Sequence, residues 1–483
     1  MHLETKEDKK RCGGCIPTRY VLCAMCFFAV LLETTLKVMV SVVLVAMVRH
    51  DSGPTNATWE SSVSADDVCP GRNEDTSQNK DGEFDWDETL QAQVLAATGY
   101  GAVVTHVLGG RLSEIMGPKM VLGPGLLVSG LLSLLSPVAA RLHVGAFITL
   151  RVLIGATSGV VMPAINVLIA RWYAPEERTS VASVVIAGLP VSTIMTLSLS
   201  GVIANQMGWP IVFYIFGGIT AAWFVPFMLL VYNSPEQHPR ISDDERELII
   251  SHRGQFNSKV SQVVPWAAIL KSVPLWAHVS MSTGYAWLGA TLLSELPTYL
   301  SNILHFNLQA SGIVAALPFL FATVSGMIFG FLSQWLRSRN WLSQKMAYRI
   351  FNTISAIGSS AFLFVITLVG CDANTIVLLL IISMVSLGGY AGGSLMNNLD
   401  LASNFAGTTS GITSTLNSVA AIITPQIVGA LTNNQQTLTQ WHIVFYISIG
   451  MTLASYLIFM VFGSVEEQPW NKLELQEKKA QPV

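Results

Sequence analysis

Long apolar runs separated by polar stretches make up most of the chain between residues 20 and 463. A transmembrane helix needs about 20 predominantly apolar residues to cross the hydrocarbon core of a bilayer. Runs of this kind occur at 20–48, 89–109, 118–140, 143–171, 178–204, 209–232, 273–300, 309–336, 346–370, 374–397, 405–431 and 440–463. The pattern predicts an all-α membrane protein with twelve transmembrane helices.

Two long polar stretches, 49–88 and 233–272, interrupt this pattern, and the second divides the runs six and six. The chain is therefore expected to form two pseudo-symmetric six-helix halves. The predicted parts are a cytoplasmic N-terminal tail at 1–19, an N-terminal half at 20–232 with an outer loop at 49–88, a cytoplasmic linker at 233–272, a C-terminal half at 273–463 and a cytoplasmic C-terminal tail at 464–483.

The positions of the 27 Lys and Arg residues test this topology, because cytoplasmic loops carry an excess of basic residues. With both termini inside, only Arg49, Arg72, Lys80 and Arg141 lie in outer segments, and Lys37 and Arg151 lie within spans. All others are in inner segments. Removing one early helix would put the basic linker outside, so the charges favour cytoplasmic termini.

The linker contains a polar SDDE stretch from Ser242 followed by an apolar LII stretch. A serine three residues before a glutamate is typical of a capped helix start. The stretch predicts either an amphipathic helix lying at the inner membrane face or a solvated linker helix.

Composition excludes several classes of protein. Only 12% of residues are charged, against roughly 25% in soluble domains, and no pattern indicates nucleic-acid binding. No nucleophile and base set, HExxH motif or phosphate-binding loop is present, so we expect no catalytic site, metal site or cofactor. In the outer segments, Asn56 begins a glycosylation sequon, and Cys69 and Cys371 are candidates for a disulfide.

A polar string, GRLSEIMGPK at 110–119, follows the second run, and GFLSQ at 330–334 follows the eighth, with Arg337 and Arg339 just after it. A carboxylate at a helix end with cations on the next helix can close the cytoplasmic side and release when the halves move. The alternative is an ordinary helix cap with basic flanking residues. The predicted cytoplasmic gate comprises Gly110, Glu114, Gly117, Lys119 and Arg178.

These strings, with the six-plus-six arrangement, resemble the major facilitator superfamily. Further strings in order resemble one branch, the anion transporter family of sialin, the vesicular glutamate transporters and the sodium–phosphate cotransporters. They are THVLGG at 105–110, GVVMPA at 159–164, RWYAPEERTS at 171–180, LPTY at 296–299, NLDLA at 398–402 and FGSVEEQPW at 462–470. The resemblance implies a transporter of small organic anions or inorganic phosphate.

Charged side chains inside a membrane span are costly and need a partner or a task. Arg151 matches a helix-four arginine that the family resemblance implicates in binding the substrate anion, and its guanidinium can bind a carboxylate or phosphate through two parallel hydrogen bonds. Its alternative role is a structural pair with a buried carboxylate. Lys37, where the family usually has arginine, faces either the central cavity or only Glu33, one helical turn away.

The resemblance links two helix-four carboxylates to proton coupling, but this chain has Ile154 and Ser158 at those positions. It has Asn166 where the glutamate-transporting branch has a helix-four histidine. The remaining candidates for coupling or gating are Glu33, Glu295, His106 and Asp400. Each also has a structural alternative, as an interfacial carboxylate, a satisfied histidine or a helix cap. Many hydroxyls between Thr408 and Ser418 leave sodium coupling open, although such hydroxyls often serve helix packing.

Tyr100 and Tyr285 lie close to family cavity positions and are candidate substrate contacts along with Asn166. Tyr285 replaces an arginine of the glutamate-transporting branch, which favours a monoanion or phosphate. We expect a monomeric symporter or exchanger driven by sodium or protons, with an uncoupled facilitator or channel, or a non-transporting sensor, as the alternatives. Its partners are a small anion and the lipid bilayer, and the plasma membrane is favoured over a lysosomal or vesicular membrane.

Overall fold

The computed structural model describes residues 17–48, 82–86, 88–239, 241–252, 264–303, 308–432 and 437–471. In these ranges the chain is all-α, as predicted. The first nine α-helices are α1 (Thr18–Met47), α2 (Glu88–Met116), α3 (Pro118–Leu142), α4 (Val144–Ser158), α5 (Val161–Trp172), α6 (Pro175–Ile186), α7 (Gly188–Met207), α8 (Trp209–Leu230) and α9 (Asp243–His252).

The remaining helices follow α9 along the chain. They are α10 (Trp266–Leu270), α11 (Val273–Asn302), α12 (Leu308–Ser338), α13 (Gln344–Thr353), α14 (Ser359–Val369), α15 (Ala373–Leu387), α16 (Gly389–Gly392), α17 (Asn397–Leu401), α18 (Ala406–Thr432) and α19 (Leu438–Phe462). A π-helix at Ile354–Gly358 joins α13 to α14.

In the described ranges, ten helices are long and apolar enough to cross a membrane. Some of these consist of two consecutive helices, such as Val144–Trp172, which comprises α4 and α5. The helices α2 and α11 are 29 and 30 residues long and are not among the ten, because polar residues interrupt them. The total of twelve spans and the orientation of the termini therefore stay predictions.

Contacts between the predicted halves run along a few helix pairs. The main pairs are α2 with α18, α5 with α18, and α6 with α12. A buried apolar cluster formed mainly by α1, α5 and α6 also includes Met396, Leu399 and Ala406 from the other half. The two halves therefore share buried surface at the end of the bundle where α2 ends and α18 begins.

The linker helix α9 lies against the start of α1. The carboxylate of Glu245 accepts hydrogen bonds from the backbone amides of Thr18 and Arg19, both at 3.2 Å. Ile249 is 4% exposed and belongs to the same apolar cluster. The Ser242 hydroxyl accepts from the amide of Glu245, as the capping motif predicts. α9 is thus docked on the bundle rather than fully solvated.

Candidate functional site

Arg151 connects α4 to the middle of α1. Its guanidinium donates to the carbonyl oxygen of Leu36 at 2.9 Å and to that of Lys37 at 3.4 Å, and the side chain is fully buried. Nε has no hydrogen-bond partner, and no described carboxylate forms an ion pair with the guanidinium. The alternative of a structural ion pair is therefore not seen among the described residues, and unused donor capacity remains.

Lys37 forms an ion pair with Glu33 at 2.5 Å on the same face of α1. The side chain of Glu33 is 5% exposed and that of Lys37 is 33% exposed. Lys37 thus reaches accessible space while Arg151 lies behind it. Two cations and one carboxylate lie in this part of α1 and α4, so one positive charge has no neutralising partner in the part of the chain that the structure describes.

His106 connects α2 to the break between α4 and α5. Pro163 has no amide hydrogen to bond the carbonyl of Gly159, four residues earlier, so that carbonyl is left without its helical donor. His106 Nδ1 lies 2.6 Å from this oxygen and Nε2 lies 2.9 Å from the Ser418 hydroxyl. Because a carbonyl can only accept, Nδ1 carries the proton and Nε2 accepts from Ser418. Both ring nitrogens are therefore engaged.

Glu114 at the end of α2 contacts the beginning of α18. Its carboxylate accepts from the backbone amide of Thr408 at 2.6 Å and from the Thr408 hydroxyl at 2.8 Å. Arg111 donates to the same carboxylate at 3.1 Å. A carboxylate here satisfies a first-turn amide of α18 and interacts favourably with the positive end of its dipole. Of the predicted gate residues, Glu114 thus bridges the two halves.

Gly110, one turn earlier, lies against Gly407. A Cβ built on Gly110 would lie 2.0 Å from the Gly407 carbonyl oxygen, and one on Gly407 would lie 2.2 Å from the Gly110 oxygen. Only glycine fits at either position, because the two helix backbones meet directly. We call the contacts of Gly110 and Glu114 with Gly407 and Thr408 the closing interface.

The hydrogen bonds of the other predicted gate residues stay within the N-terminal half and the start of the linker. Gly117, between α2 and α3, has a φ of +94°. In the first turn of α3, the backbone amide of Lys119 donates to Asn233 Oδ1 at 3.0 Å. Arg178 donates to the carbonyls of Tyr173 and Ala170, both at 3.2 Å, and thereby caps the C-terminal end of α5. The structure places these three beside the closing interface rather than across it.

A row of hydroxyls on α18 faces the N-terminal half. Thr408 bonds Glu114, Ser410 bonds the amide nitrogen of Asn166, and Ser418 bonds His106. The sequence shows these hydroxyls but not their partners. Asn166, predicted as a substrate contact, therefore also connects α5 to α18 in this conformation.

A second contact between the halves lies at the end of α12. Arg337 donates to the Thr179 hydroxyl at 3.0 Å and to the Glu176 carbonyl at 3.4 Å, in the first turns of α6. A Cβ on Gly330 would lie 2.4 Å from the Ser183 hydroxyl oxygen. A glycine and a charged side chain are thus used at both contacts, but the charge is negative in the first and positive in the second.

Asp400 lies between the spans that contain α15 and α18, near this second contact. It accepts a hydrogen bond from the Tyr348 hydroxyl. Burial raises the pKa of the Asp400 carboxyl to about 6, against the opposing effects of Tyr348, Arg178 and Arg337. Asp400 is thus partly buried and close to two basic side chains, and its role in coupling or as a helix cap stays a prediction.

The predicted aromatic residues differ in their surroundings. Tyr285 stacks on Tyr390 with ring centroids 4.3 Å apart, and Tyr100 is 46% exposed.

The backbone of Glu295 belongs to α11, but its side chain lies outside the described part. Ile154 and Ser158 are both fully buried in α4.

The outer-loop predictions fall partly outside the described residues. Asn56 and Cys69 are both in 49–81, which the structure does not describe. Cys371 is disulfide-bonded, whereas Cys23 and Cys26 are free. The pairing of Cys69 with Cys371 stays a prediction.

The family model for the major facilitator superfamily matches residues 22–425. The chain belongs to this superfamily. Human sialin is 37% identical, with 94% of this chain and 91% of sialin covered. Sodium-dependent phosphate transport protein 3 of Mus musculus is 29% identical, with 97% of this chain and 98% of that protein covered. The superfamily member described here is thus an integral membrane transporter of the sialin and sodium–phosphate cotransporter type.

A solved superfamily structure shares the fold. The proton:xylose symporter XylE, bound to 6-bromo-6-deoxy-D-glucose, aligns with a TM-score of 0.64 over 95% of this chain and 98% of its own. Sequence identity is 15%, so this likeness concerns the fold alone.

Two buried polar residues of this superfamily member were missed by sequence reasoning. His278 in α11 is 1% exposed and its Nδ1 has no partner among the described residues. Asn397 is fully buried, and both polar atoms of its amide also have none. Neither stands in a motif, and only the folded structure shows that they are buried. In the described ranges, no group of His, Cys, Asp and Glu residues is arranged to bind a metal ion.

Proposed function

We propose that the chain is a secondary active transporter that moves small organic anions or inorganic phosphate by alternating access, coupled to sodium or protons. The observation that carries this proposal is the unneutralised positive charge formed by Lys37 and Arg151 beside Glu33. An uncompensated cation inside a membrane span attracts an anionic ligand, and one that is partly exposed can reach it.

The two cations have different roles in this proposal. Lys37, with a third of its side chain exposed, makes the first contact with the anion. Arg151 uses two donors on α1 carbonyls and keeps further N–H groups for a carboxylate or phosphate once α1 shifts. Tyr100, Asn166 and Tyr285 are the additional substrate contacts that we propose.

The closing interface supports alternating access. It connects the halves at the cytoplasmic end through Glu114 and Thr408, and its loss would open that end. The anion then enters from the opposite side in the conformation described here. Asp400, His106 and Glu295 remain the candidates for coupling or gating.

An uncoupled facilitator is the second candidate function. Ile154 and Ser158 are buried where the resembling family has carboxylates, and His106 has both ring nitrogens engaged. This arrangement offers no free proton carrier at helix four and favours either sodium coupling or downhill flux.

Flux into proteoliposomes tests both proposals. Uptake of phosphate, sialate-like sugars, urate and amino-acid anions is measured with sodium and proton gradients imposed separately. Accumulation that collapses with an ionophore supports coupling, and equilibration without accumulation supports the facilitator. Specific anion binding without any flux would overturn both and leave a sensor.

Topology and compartment belong to the same proposal. We propose two halves at 20–232 and 273–463, cytoplasmic termini, a monomer and the plasma membrane. Deglycosylation tests the orientation, because a mobility shift that disappears in Asn56→Gln would place the loop at 49–88 outside.

A further inference from the structure

A small surface cleft lies between the start of α13 and the end of α19. Lys345 and Arg349 line it on one side, with Phe459, Met460 and Ser464 on the other. Lys345 and Arg349 stand four residues apart on α13, so they project from one helix face. Within the described residues, neither cation has an ion-pair partner.

The surroundings of the cleft are apolar and exposed. Met346 and Ile350, on α13 beside the two cations, are 52% and 40% exposed. The turn before α13 carries Trp341, which is 67% exposed and contacts Trp335 edge to face with ring centroids 5.1 Å apart. Exposed tryptophans are typical of the membrane–water interface, where the ring meets both acyl chains and headgroups.

Positive charge at the cytoplasmic membrane surface attracts anionic lipids, and basic pockets between helices bind their headgroups. We propose that this cleft binds the phosphate headgroup of an anionic phospholipid of the inner leaflet, with Lys345 and Arg349 as the phosphate ligands. Met460 and the two exposed tryptophans contact the acyl chains and glycerol region. A water-soluble phosphate would match the two cations but would leave these apolar contacts unused.

The cleft adjoins the contacts between the halves through Tyr348. This residue lines the cleft, and its hydroxyl donates to Asp400, close to Arg178 and Arg337. A bound headgroup therefore fixes the same turn of α13 that positions Tyr348. The lipid is expected to stabilise the conformation that is closed at the cytoplasmic end.

The test uses the purified full chain in neutral detergent, titrated with dioleoyl phosphatidylglycerol or dioleoyl phosphatidylcholine and read by native mass spectrometry. We expect the wild type to prefer phosphatidylglycerol, and K345Q/R349Q to bind it roughly tenfold or more weakly. Lys271→Gln, an exposed cation at the same predicted end but outside the cleft, should leave the affinity unchanged.

Two further measurements separate the source of the phosphate group. Trp341→Ala should weaken phosphatidylglycerol binding, and glycerol phosphate alone should not compete at equal concentration. Competition by glycerol phosphate, or equal binding in K345Q/R349Q and the wild type, would overturn the proposal. Loss of binding in Lys271→Gln to the same extent would do so too, because it would indicate only a general charge effect. The readout does not depend on transport.

Discussion

The carboxylate of Glu114 and the amide and hydroxyl of Thr408 form two short hydrogen bonds between residues 294 positions apart in the chain. Through them, the end of one helix caps the beginning of another in the opposite half. A cap formed between the halves exists only while this end of the bundle, the predicted cytoplasmic end, is closed. The carboxylate of Glu114 therefore contributes to the stability of the closed conformation, beside the contacts of Asn166, His106 and Arg337.

Glu114→Gln tests this dependence. The variant keeps an acceptor oxygen but loses the charge that interacts with the dipole of α18, at a cost of about 1–2 kcal/mol to the closed conformation. We expect amide hydrogen exchange around Thr408 to become about five- to thirtyfold faster. Glu247→Gln, on the exposed face of α9, is the control. Unchanged exchange around Thr408 would show that the carboxylate does not hold the closed conformation.

Gly407→Ala tests the backbone contact beside the cap. The added methyl group would lie 2.2 Å from the Gly110 carbonyl oxygen, so α2 and α18 must separate. We expect anion uptake to fall several-fold while the amount of protein in the membrane stays constant. Gly429→Ala on the same helix meets no atom within 4 Å and should keep wild-type uptake. Equal uptake in both variants would contradict the role of this contact.

Arg151→Ala tests the deeper cation. We expect loss of anion uptake in a protein that still reaches the membrane, because the ligand loses the guanidinium donors. Equilibrium binding of the anion, measured by isothermal titration, should be lost as well. Arg141→Ala, which removes an exposed pair with Glu83, is the control. Uptake near wild type in Arg151→Ala would refute the binding-site assignment.

Lys37 and Glu33 are tested as a pair, because each role predicts a different pattern. If Lys37 contacts the anion, Lys37→Met should raise the KM of uptake several-fold and Glu33→Gln should lower it. A purely structural pair would instead give two destabilised single variants, and the double variant would recover both stability and uptake. Thermal unfolding and KM measured on the same preparations distinguish these patterns.

Asp400→Asn tests the effect of burial on the carboxyl. Because the pKa of Asp400 is raised to about 6, the folded protein keeps this proton at pH values where an unfolded chain has lost it. The contribution of Asp400 to stability is therefore present at low pH and declines as pH rises from about 4 to 6. We expect the Tm of Asp400→Asn to exceed that of the wild type increasingly over this range. Parallel Tm curves for the two proteins would contradict the raised pKa.

The sequence was informative about elements and weaker about contacts. Hydropathy predicted an all-α membrane fold because the bilayer fixes the length of each span, and the structure confirms that class. The 110–119 string identified Glu114 as a gate residue, but its partner Thr408 follows no local pattern. No local pattern shows that a side chain is excluded at Gly407, and only the crossing of α2 and α18 reveals it.

Local chemistry was predicted best where one helix contains both partners. The Glu33–Lys37 pair followed from a spacing of four residues and is present. Arg151 was expected to face a ligand or a carboxylate, yet it donates to carbonyls of α1, which no side-chain pattern can reveal. Sequence alone left several roles open for His106. Its partner is the Gly159 carbonyl, which Pro163 leaves without a helical donor, and this contact is seen only in the folded structure.

The direct approach of Gly110 and Gly407 also affects how fast the predicted cytoplasmic end can open. Neither residue has a rotamer to be fixed on closing or released on opening, whereas each immobilised long side chain at an interface costs about 0.5–1.5 kcal/mol. At these two positions the helices can therefore separate and rejoin without interlocked side chains to disengage.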